Sequence, residues 1–171
     1  MRVLYVCTGN ICRSPTAERL TSAWADELQV DVTAESAGVR AVVGHGVESH
    51  AAAVLESLGG DPTGFAARRL TPAIATDADI VVTMTAGHRD EVLTVAPRTL
   101  RRTYTLREAA EFARRTGVVD PAAWFSARAA SPVTDLDIDD PIGQDPAVFE
   151  AVGEVIADCL QPLFEAWYRA R

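Results

Sequence analysis

The sequence contains no lysine. All 16 of its basic residues are arginines, in a chain of 171 residues. A phosphate site of the Walker type depends on a lysine and is therefore excluded. Any phosphate site must instead combine arginine side chains, which can grip two oxygens at once, with backbone amides. Acidic residues outnumber basic ones, and the formal net charge of -8 argues against a nucleic-acid partner.

Cysteines and long apolar runs are also scarce. The chain has three cysteines, Cys7, Cys12 and Cys159, an odd number without the spacing of a disulfide framework. This usage favours a reducing compartment. No apolar run approaches the ~20 residues that span a bilayer, and the run Val3–Cys7 is too short for the apolar core of a signal peptide. We therefore expect a cytoplasmic protein that needs no membrane partner.

The length predicts one domain over residues 1–171. Short apolar segments predict strands at Arg2–Val6, Val30–Glu35, Asp79–Thr83 and Arg102–Thr105. Helices are predicted at Pro15–Leu28, Val47–Leu58, Gly87–Ala96 and Pro146–Arg171, the last interrupted near Pro162. This alternation predicts an α/β fold, a single doubly wound domain with a four-stranded parallel sheet and flanking helices. The stretch Arg114–Thr134 is predicted to be a partly helical connection that leads into a loop.

The segment Cys7–Pro15, which reads CTGNICRSP, falls between the first strand and the first helix. Ligands of open parallel sheets bind beyond the carboxyl ends of strands and against helix N-termini. The helix dipole and loop amides would there stabilise the Cys7 thiolate, while Arg13 grips two oxygens of a tetrahedral oxyanion. Gly9 is expected to permit the tight backbone path. Ser14 is expected both to donate to the Cys7 sulfur and to cap the helix.

A Cys-x5-Arg pattern alone is weak, because buried thiols at strand ends are common. The complete string is far more specific, and it resembles the signature of the low-molecular-weight protein tyrosine phosphatase family. The resemblance continues through nearly the whole chain apart from Arg114–Thr134, at Ser36–Gly38, Leu55–Asp61, Ala67–Leu70, Ala78–Val82 with Met84 and His88, and Asp140-Pro141. It implies a cysteinyl-phosphate intermediate, no cofactor and no metal. Substrate binding is predicted for Thr8, Gly9, Asn10, Ile11, Cys12 and Ser14.

Four aspartates, Asp135, Asp137, Asp139 and Asp140, cluster before Pro141. A two-step displacement needs a proton for the leaving oxygen and later a base to activate water. Most acidic runs are solvated loops. The family, however, places its general acid immediately before a proline late in the chain, which implies Asp140, with Asp139 as the fallback.

Several other residues allow two interpretations. Cys12 either pairs reversibly with Cys7, as the resemblance implies, or fills space in the loop. Cys159 is expected in a helix core, and His45, His50 and His88 lack a metal-binding spacing. Asn10 is expected to order the loop. The arginine pairs at 68–69, 101–102 and 114–115 are expected to be solvated, and Trp124-Phe125 either anchors the connection or lines the site.

The sequence departs from the tyrosine-specific pattern of the family. Ile142-Gly143 stands where many relatives carry tyrosines, Arg40–Val43 lacks a tryptophan, and Phe65 stands where relatives often have a histidine that braces the loop asparagine. The segment after Asp140 resembles a branch that includes protein arginine phosphatases. There a loop threonine favours phosphoarginine, whereas Ile11 matches the tyrosine enzymes. We expect a phosphorylated protein substrate, phosphotyrosine before phosphoarginine, and a monomer or weak dimer.

Two interpretations from other functional classes are disfavoured. Thioredoxin-coupled arsenate reductases share the loop but need a further cysteine pair after the third strand, and the segment from Thr83 onward into the next helix has none. A non-catalytic phosphoprotein-binding module would be expected to have lost Cys7, Arg13 or the acid, and this chain retains all three.

Overall fold

A parallel sheet stands at the centre of the protein, described here for residues 1–170 of a computed structural model. Within these residues, the strands are β1 (Arg2–Cys7), β2 (Thr33–Gly38), β3 (Ile80–Thr83) and β4 (Thr103–Thr105). They lie in the order β2-β1-β3-β4, and every neighbouring pair is parallel. This arrangement confirms the predicted four-stranded α/β sheet.

Helices cover both faces of the sheet. They are α1 (Arg13–Leu28), α2 (Ser49–Ser57), α3 (Pro72–Asp77), α4 (Ala86–Val95), α5 (Leu106–Thr116), α6 (Pro121–Ala130) and α7 (Pro146–Arg169), with a 3-10 helix at Pro97–Arg102. Alternate side chains of β1 point to opposite faces, as strand geometry requires. Val3, Tyr5 and Cys7 pack in the core with α1, α5 and α7, and Leu4 and Val6 pack with α3 and α4. Cys7 is therefore the last residue of β1, and the loop that follows it leads into the N-terminus of α1.

The second strand begins three residues later than predicted, at Thr33 instead of Val30. Val30 lies just beyond the end of α1, where its amide donates to the carbonyl of Ala25 at 2.9 Å and Gln29 adopts a left-handed conformation. Val30 and Val32 are buried but lie outside the strand ladder, which begins with Thr33 opposite Arg2. Valine is typical of buried strands, which is why the sequence predicted a strand at these two residues. The other three strands match their predictions to within one residue.

The predicted interruption of the terminal helix at Pro162 is wrong, because α7 continues through it. A proline inside a helix leaves the carbonyl four residues earlier without its usual donor. Here that carbonyl belongs to Asp158, and the Arg114 guanidinium donates to it at 3.3 Å. A tertiary contact thus replaces the missing helical bond. Arg171, which the prediction included in this helix, lies outside the described residues.

The stretch 114–134 is more helical than predicted. It contains the end of α5, a helix that the sequence analysis did not place, and the whole of α6. The Asp120 carboxylate caps α6 by accepting from the Ala122 amide at 2.9 Å. Trp124 is fully buried and packs edge-on against Tyr104, so it anchors this segment to the core and does not line the loop at Cys7. Among the described helices, none is long and apolar enough to cross a bilayer.

Candidate active site

The loop from Cys7 to Ser14, here called the phosphate loop, is held by the segment that follows β2. This segment, residues 39–48, is called the rim loop. Its backbone amides donate hydrogen bonds to the backbone carbonyls of the phosphate loop. Val39 donates to Cys7 at 3.0 Å, Arg40 to Thr8 at 2.9 Å, Val42 to Gly9 at 2.9 Å and Glu48 to Ile11 at 2.7 Å. The carbonyl oxygens are therefore turned toward the rim loop, which leaves the opposite side of the phosphate loop to its N–H groups.

Within residues 1–170, the backbone amides of residues 9–12 donate no hydrogen bond. α1 starts immediately afterwards at Arg13, and the first amides of a helix also lack intrahelical acceptors. A run of amides without acceptors at a helix N-terminus favours an anion, because donors and helix dipole act together. Phosphate binding by this loop, which the sequence predicts, stays a prediction.

The tight backbone position of the phosphate loop is Asn10 and not Gly9. Asn10 has a φ of 55°. A Cβ at Gly9 would meet only ordinary contacts, the nearest being the Ile11 side chain at 3.4 Å. The prediction that Gly9 permits the tight backbone path is thus wrong. The left-handed residue of the loop is Asn10, and asparagine tolerates this region better than most residues. Glycine is required instead at Gly38, where a Cβ would lie 2.5 Å from the carbonyl oxygen of Thr8.

The Cys7 sulfur lies at the base of the loop, 2.9 Å from the Ser14 hydroxyl, in a residue only 2% exposed. Ser14 accepts a hydrogen bond from the Asn10 side-chain amide at 2.9 Å, so its own proton is available for the sulfur. The predicted contact of Ser14 with the sulfur is present. Its predicted capping role is wrong, because α1 already begins at Arg13 and Ser14 lies inside the helix.

Asn10 links the phosphate loop to the rest of the protein. Its amide nitrogen also donates to Ser36 at 2.7 Å, and its oxygen accepts from the Arg68 backbone amide at 2.8 Å. Ser36 in turn donates to Glu18 at 2.5 Å, and burial raises the pKa of that carboxyl. Every hydrogen-bonding atom of the Asn10 side chain is used, which fixes the direction of the Ser14 hydroxyl.

Phe65 takes no part in this network and lies against Arg19, whose guanidinium is 5.5 Å from the ring centre. Arg68 is less solvated than expected, since its guanidinium bonds the Ser36 carbonyl at 2.8 Å and its backbone bonds Asn10. Ser36 is a site residue to which the sequence analysis gave no role. Its presence in the Ser36–Gly38 match was the signal that could have identified it.

The Arg13 side chain extends beneath the loop and is 3% exposed. It donates to the Ile138 carbonyl at 2.8 Å and to the Asp140 carboxylate at 2.7 Å. Its Nε is buried without a partner among the described residues. A buried donor without an acceptor is costly, and an anion in the cradle would remove that cost. Arg13 thus joins the phosphate loop to the acidic segment.

The four clustered aspartates have different partners. Asp135 pairs with Arg107 at 3.0 Å, and Asp137 accepts from the Ala86 amide at 2.7 Å. Asp140 alone of the four pairs with Arg13, and it also accepts from the Ile142 amide at 3.2 Å. Asp139 has no side-chain partner within residues 1–170. Position therefore favours Asp140 over the fallback Asp139 as the group nearest the cradle.

The remaining candidates lie in the core, at the surface or beside the phosphate loop. Cys12 and Cys159 are buried free thiols; burial raises the pKa of each, and at Cys12 repulsion from Cys7 adds to it. His45 and His50 are exposed. The third histidine, His88, bonds Thr8 of the phosphate loop at 2.8 Å. No group of three potential metal ligands is found in the described part of the chain.

We expect Asn10→Ala to lower the free energy of unfolding by about 2–3 kcal/mol, because it removes three hydrogen bonds and leaves the Arg68 backbone amide without its acceptor. Gln29→Ala is the matched control. Gln29 has a φ of 56°, but it lies at the end of α1 and its side chain bonds only Asp26. Urea denaturation of both variants provides the measurement, and equal losses would show that backbone strain, and not the network, sets the cost.

Comparison with known proteins agrees with this geometry. Residues 2–129 match the model of the family described as low molecular weight phosphotyrosine protein phosphatase. The low molecular weight protein-tyrosine-phosphatase Wzb of Escherichia coli K12 is 39% identical over 95 residues, which are 56% of this chain and 62% of Wzb. The match thus spans less than two thirds of this curated relative.

Solved structures match over a greater length. A low molecular weight protein tyrosine phosphatase from T. tengcongensis superimposes with a TM-score of 0.79 at 30% identity, covering 96% of this chain and 98% of that one. A variant of the YwlE arginine phosphatase, in which serine replaces a cysteine and the active-site serine is phosphorylated, gives 0.76 at 25% identity, covering 95% and 92%. Together with the family match over residues 2–129, these likenesses establish that the chain belongs to the low molecular weight phosphotyrosine protein phosphatase family.

Proposed function

We propose that the chain is a cysteine-dependent protein phosphatase that hydrolyses phosphotyrosine. The observation that carries this proposal is the convergence of the Cys7 sulfur, the amides of residues 9–12 without acceptors and the partly unpaired Arg13 on one cradle. Family membership supports it, as does the phosphorylated active-site serine of the YwlE variant.

In the first step, the Cys7 thiolate attacks phosphorus and a P–S bond forms as the P–O bond to the substrate breaks. Asp140 gives its proton to the departing phenolic oxygen. In the second step, Asp140 takes a proton from water, the resulting hydroxide attacks phosphorus, and the P–S bond breaks to release inorganic phosphate and the thiolate. Loop amides hold the three peripheral oxygens throughout.

Arg13 can bind the phosphoryl group without leaving its present partners. A guanidinium has five N–H donors, and the bonds to Ile138 and Asp140 use two of them. The unpaired Nε is among the rest. Because the Asp140 carboxyl group is bound to this same guanidinium, substrate binding brings it next to the leaving oxygen, to which it gives its proton in its protonated form.

Exposed apolar side chains in the segments next to the cradle favour an aryl leaving group. Val42 and Val43 of the rim loop are 40% and 63% exposed, and Ile142, two residues beyond Asp140, is 45% exposed. Ile11 adds a partly exposed β-branched side chain from the phosphate loop itself. A guanidinium leaving group would lose hydrogen-bonding partners against these apolar groups.

A second candidate is protein arginine phosphatase activity. The likeness to YwlE and the Ile142-Gly143 sequence favour it. Ile11 argues for phosphotyrosine, and the two activities share every step of the chemistry apart from the leaving group.

The direct test of the nucleophile is Cys7→Ser. We expect this variant to lose turnover while it keeps the fold and still binds inorganic phosphate, because a serine hydroxyl is a weaker nucleophile than a thiolate and a serine oxygen leaves phosphorus less readily than sulfur does. Arg13→Lys should also be severely impaired, since an ammonium cannot reproduce the planar grip. Initial rates on p-nitrophenyl phosphate measure both. Appreciable turnover by Cys7→Ser would place the chemistry elsewhere.

The assignment of the acid is tested by the leaving group. We expect Asp140→Asn to slow hydrolysis of phenyl phosphate on the order of 10²-fold, as for a lost general acid. The loss should shrink with p-nitrophenyl phosphate, whose leaving oxygen needs less protonation. Asp139→Asn is the matched control and should behave like the native protein. A leaving-group dependence that follows Asp139 would move the assignment by one residue.

Substrate choice is tested at Ile11. We expect the native protein to hydrolyse a phosphotyrosine peptide with a higher kcat/KM than a phosphoarginine peptide. The Ile11→Thr substitution should shift that ratio toward phosphoarginine by about 10-fold, the size of one pocket contact. Val95→Thr changes another exposed apolar residue, far along α4, and should leave the ratio unchanged. A native protein faster on phosphoarginine would favour the second candidate.

A further inference from the structure

The first turn of α4 contains a buried histidine that touches the phosphate loop. His88 is 5% exposed, and its Nε2 lies 2.8 Å from the hydroxyl of Thr8, the residue that follows the nucleophile. Its Nδ1 lies 2.9 Å from the hydroxyl of Thr85. The imidazole therefore forms a bridge between two threonines, one in the phosphate loop and one at the start of a helix.

Thr85 holds the ring in place. It is the N-cap of α4, and its hydroxyl accepts from the His88 backbone amide at 3.1 Å. The backbone and the ring of His88 are thus both tied to one capping residue. The helix consequently orients the ring, and the ring presents Nε2 to Thr8 in a fixed direction.

The same turn holds the acidic segment. The Ala86 amide donates to the Asp137 carboxylate at 2.7 Å, and the Ile138 amide donates to the Met84 carbonyl at 2.8 Å. Residues 84–88 therefore contact the phosphate loop through one side chain and the acidic segment through the backbone. The nucleophile and the acid are placed relative to one another by a shared support.

We propose that His88 is a positioning residue, which fixes the phosphate loop at Thr8 and thereby sets the cradle for the phosphoryl group. The proposal rests on the proposed phosphatase function and adds to it a residue that touches neither substrate nor the reacting atoms.

The charges around the ring favour this role over direct acid–base chemistry. Burial, followed by the nearby Arg13 guanidinium, lowers the pKa of His88 to about 4; Arg40 acts in the same direction, while Glu91 and Asp140 oppose it. At neutral pH the ring is uncharged and has one donor and one acceptor nitrogen. A neutral ring bridges two hydroxyls without competing with Arg13 for the phosphoryl oxygens.

Two substitutions of His88 separate the bond to Thr8 from the bond to Thr85. The amide of His88→Gln reaches the position of Nε2 and can still bond Thr8. The amide of His88→Asn reaches the position of Nδ1, so it keeps the bond to Thr85 and loses the one to Thr8. The inhibition constant of inorganic phosphate, measured with p-nitrophenyl phosphate as substrate, reports how well the cradle is formed.

We expect His88→Asn to weaken phosphate inhibition about 10-fold, which corresponds to one hydrogen bond. His88→Gln should stay within about 2-fold of the native value. Thr8→Val should weaken inhibition as much as His88→Asn, and the double variant should be no worse than either, because both remove the same bond. His50→Gln, an exposed histidine on α2 that bonds Glu48, should leave inhibition unchanged.

Thermal unfolding of each variant checks that it is folded. Equal losses for His88→Asn and His88→Gln would overturn the proposal, because packing and not the Thr8 bond would then be at work. Native-like inhibition in folded His88→Asn would overturn it too. If His88→Asn does not fold, Thr8→Val decides in the same way. A native protein without turnover would instead overturn the proposed function, and this inference with it.

Discussion

The placement of the phosphate loop depends on the backbone hydrogen bonds between it and the rim loop. Four amides of residues 39–48 take the carbonyls of Cys7, Thr8, Gly9 and Ile11. A loop of this length could present either its carbonyl oxygens or its N–H groups to a ligand. Because the rim loop binds the carbonyl oxygens, the N–H groups are the ones left to face a ligand. Gly38 allows the two segments to approach so closely, since any side chain there would collide with the Thr8 carbonyl. Binding an anion consequently requires little reorganisation, which is the condition for effective electrostatic stabilisation.

The acidic segment is held by a second set of bonds that meets the first at Arg13 and at the start of α4. Arg13 bonds the Ile138 carbonyl and the Asp140 carboxylate, and residues 84–86 bond Asp137 and Ile138. Asp140 remains 45% exposed, so it can meet a substrate that enters from solvent. In the proposed mechanism, the buried arginine holds the phosphoryl group and the half-exposed Asp140 protonates the leaving group.

Local chemistry determines which parts of this arrangement could be predicted from the sequence. The Cys7–Ser14 contact and the strand-to-helix position of the loop follow from neighbouring residues, and they were predicted. The prediction of Ser14 as a cap was wrong because the N-cap is Cys12 and the helix already begins at Arg13. The tight backbone path was predicted at Gly9 because glycine readily adopts positive φ, but the residue with positive φ in the loop is Asn10. Other contacts of the site are hydrogen bonds between residues 26–80 positions apart in the sequence, which involve His88, Ser36 and Asp137. Short patterns carry no such information. Pro162 is similar, since only the distant Arg114 explains the unbroken helix.

The central claim is that the phosphoryl group is transferred from the substrate to the Cys7 sulfur, which forms a covalent intermediate. Its most direct measurement is acid quenching of the native protein within milliseconds of mixing with a phosphotyrosine peptide, followed by mass spectrometry of the proteolytic fragments. The account predicts that the fragment with Cys7 gains the mass of one phosphoryl group, and that this species decays as inorganic phosphate appears. Turnover without any phosphorylated fragment that contains Cys7, or with the phosphoryl group on Cys12 or a histidine, would contradict it.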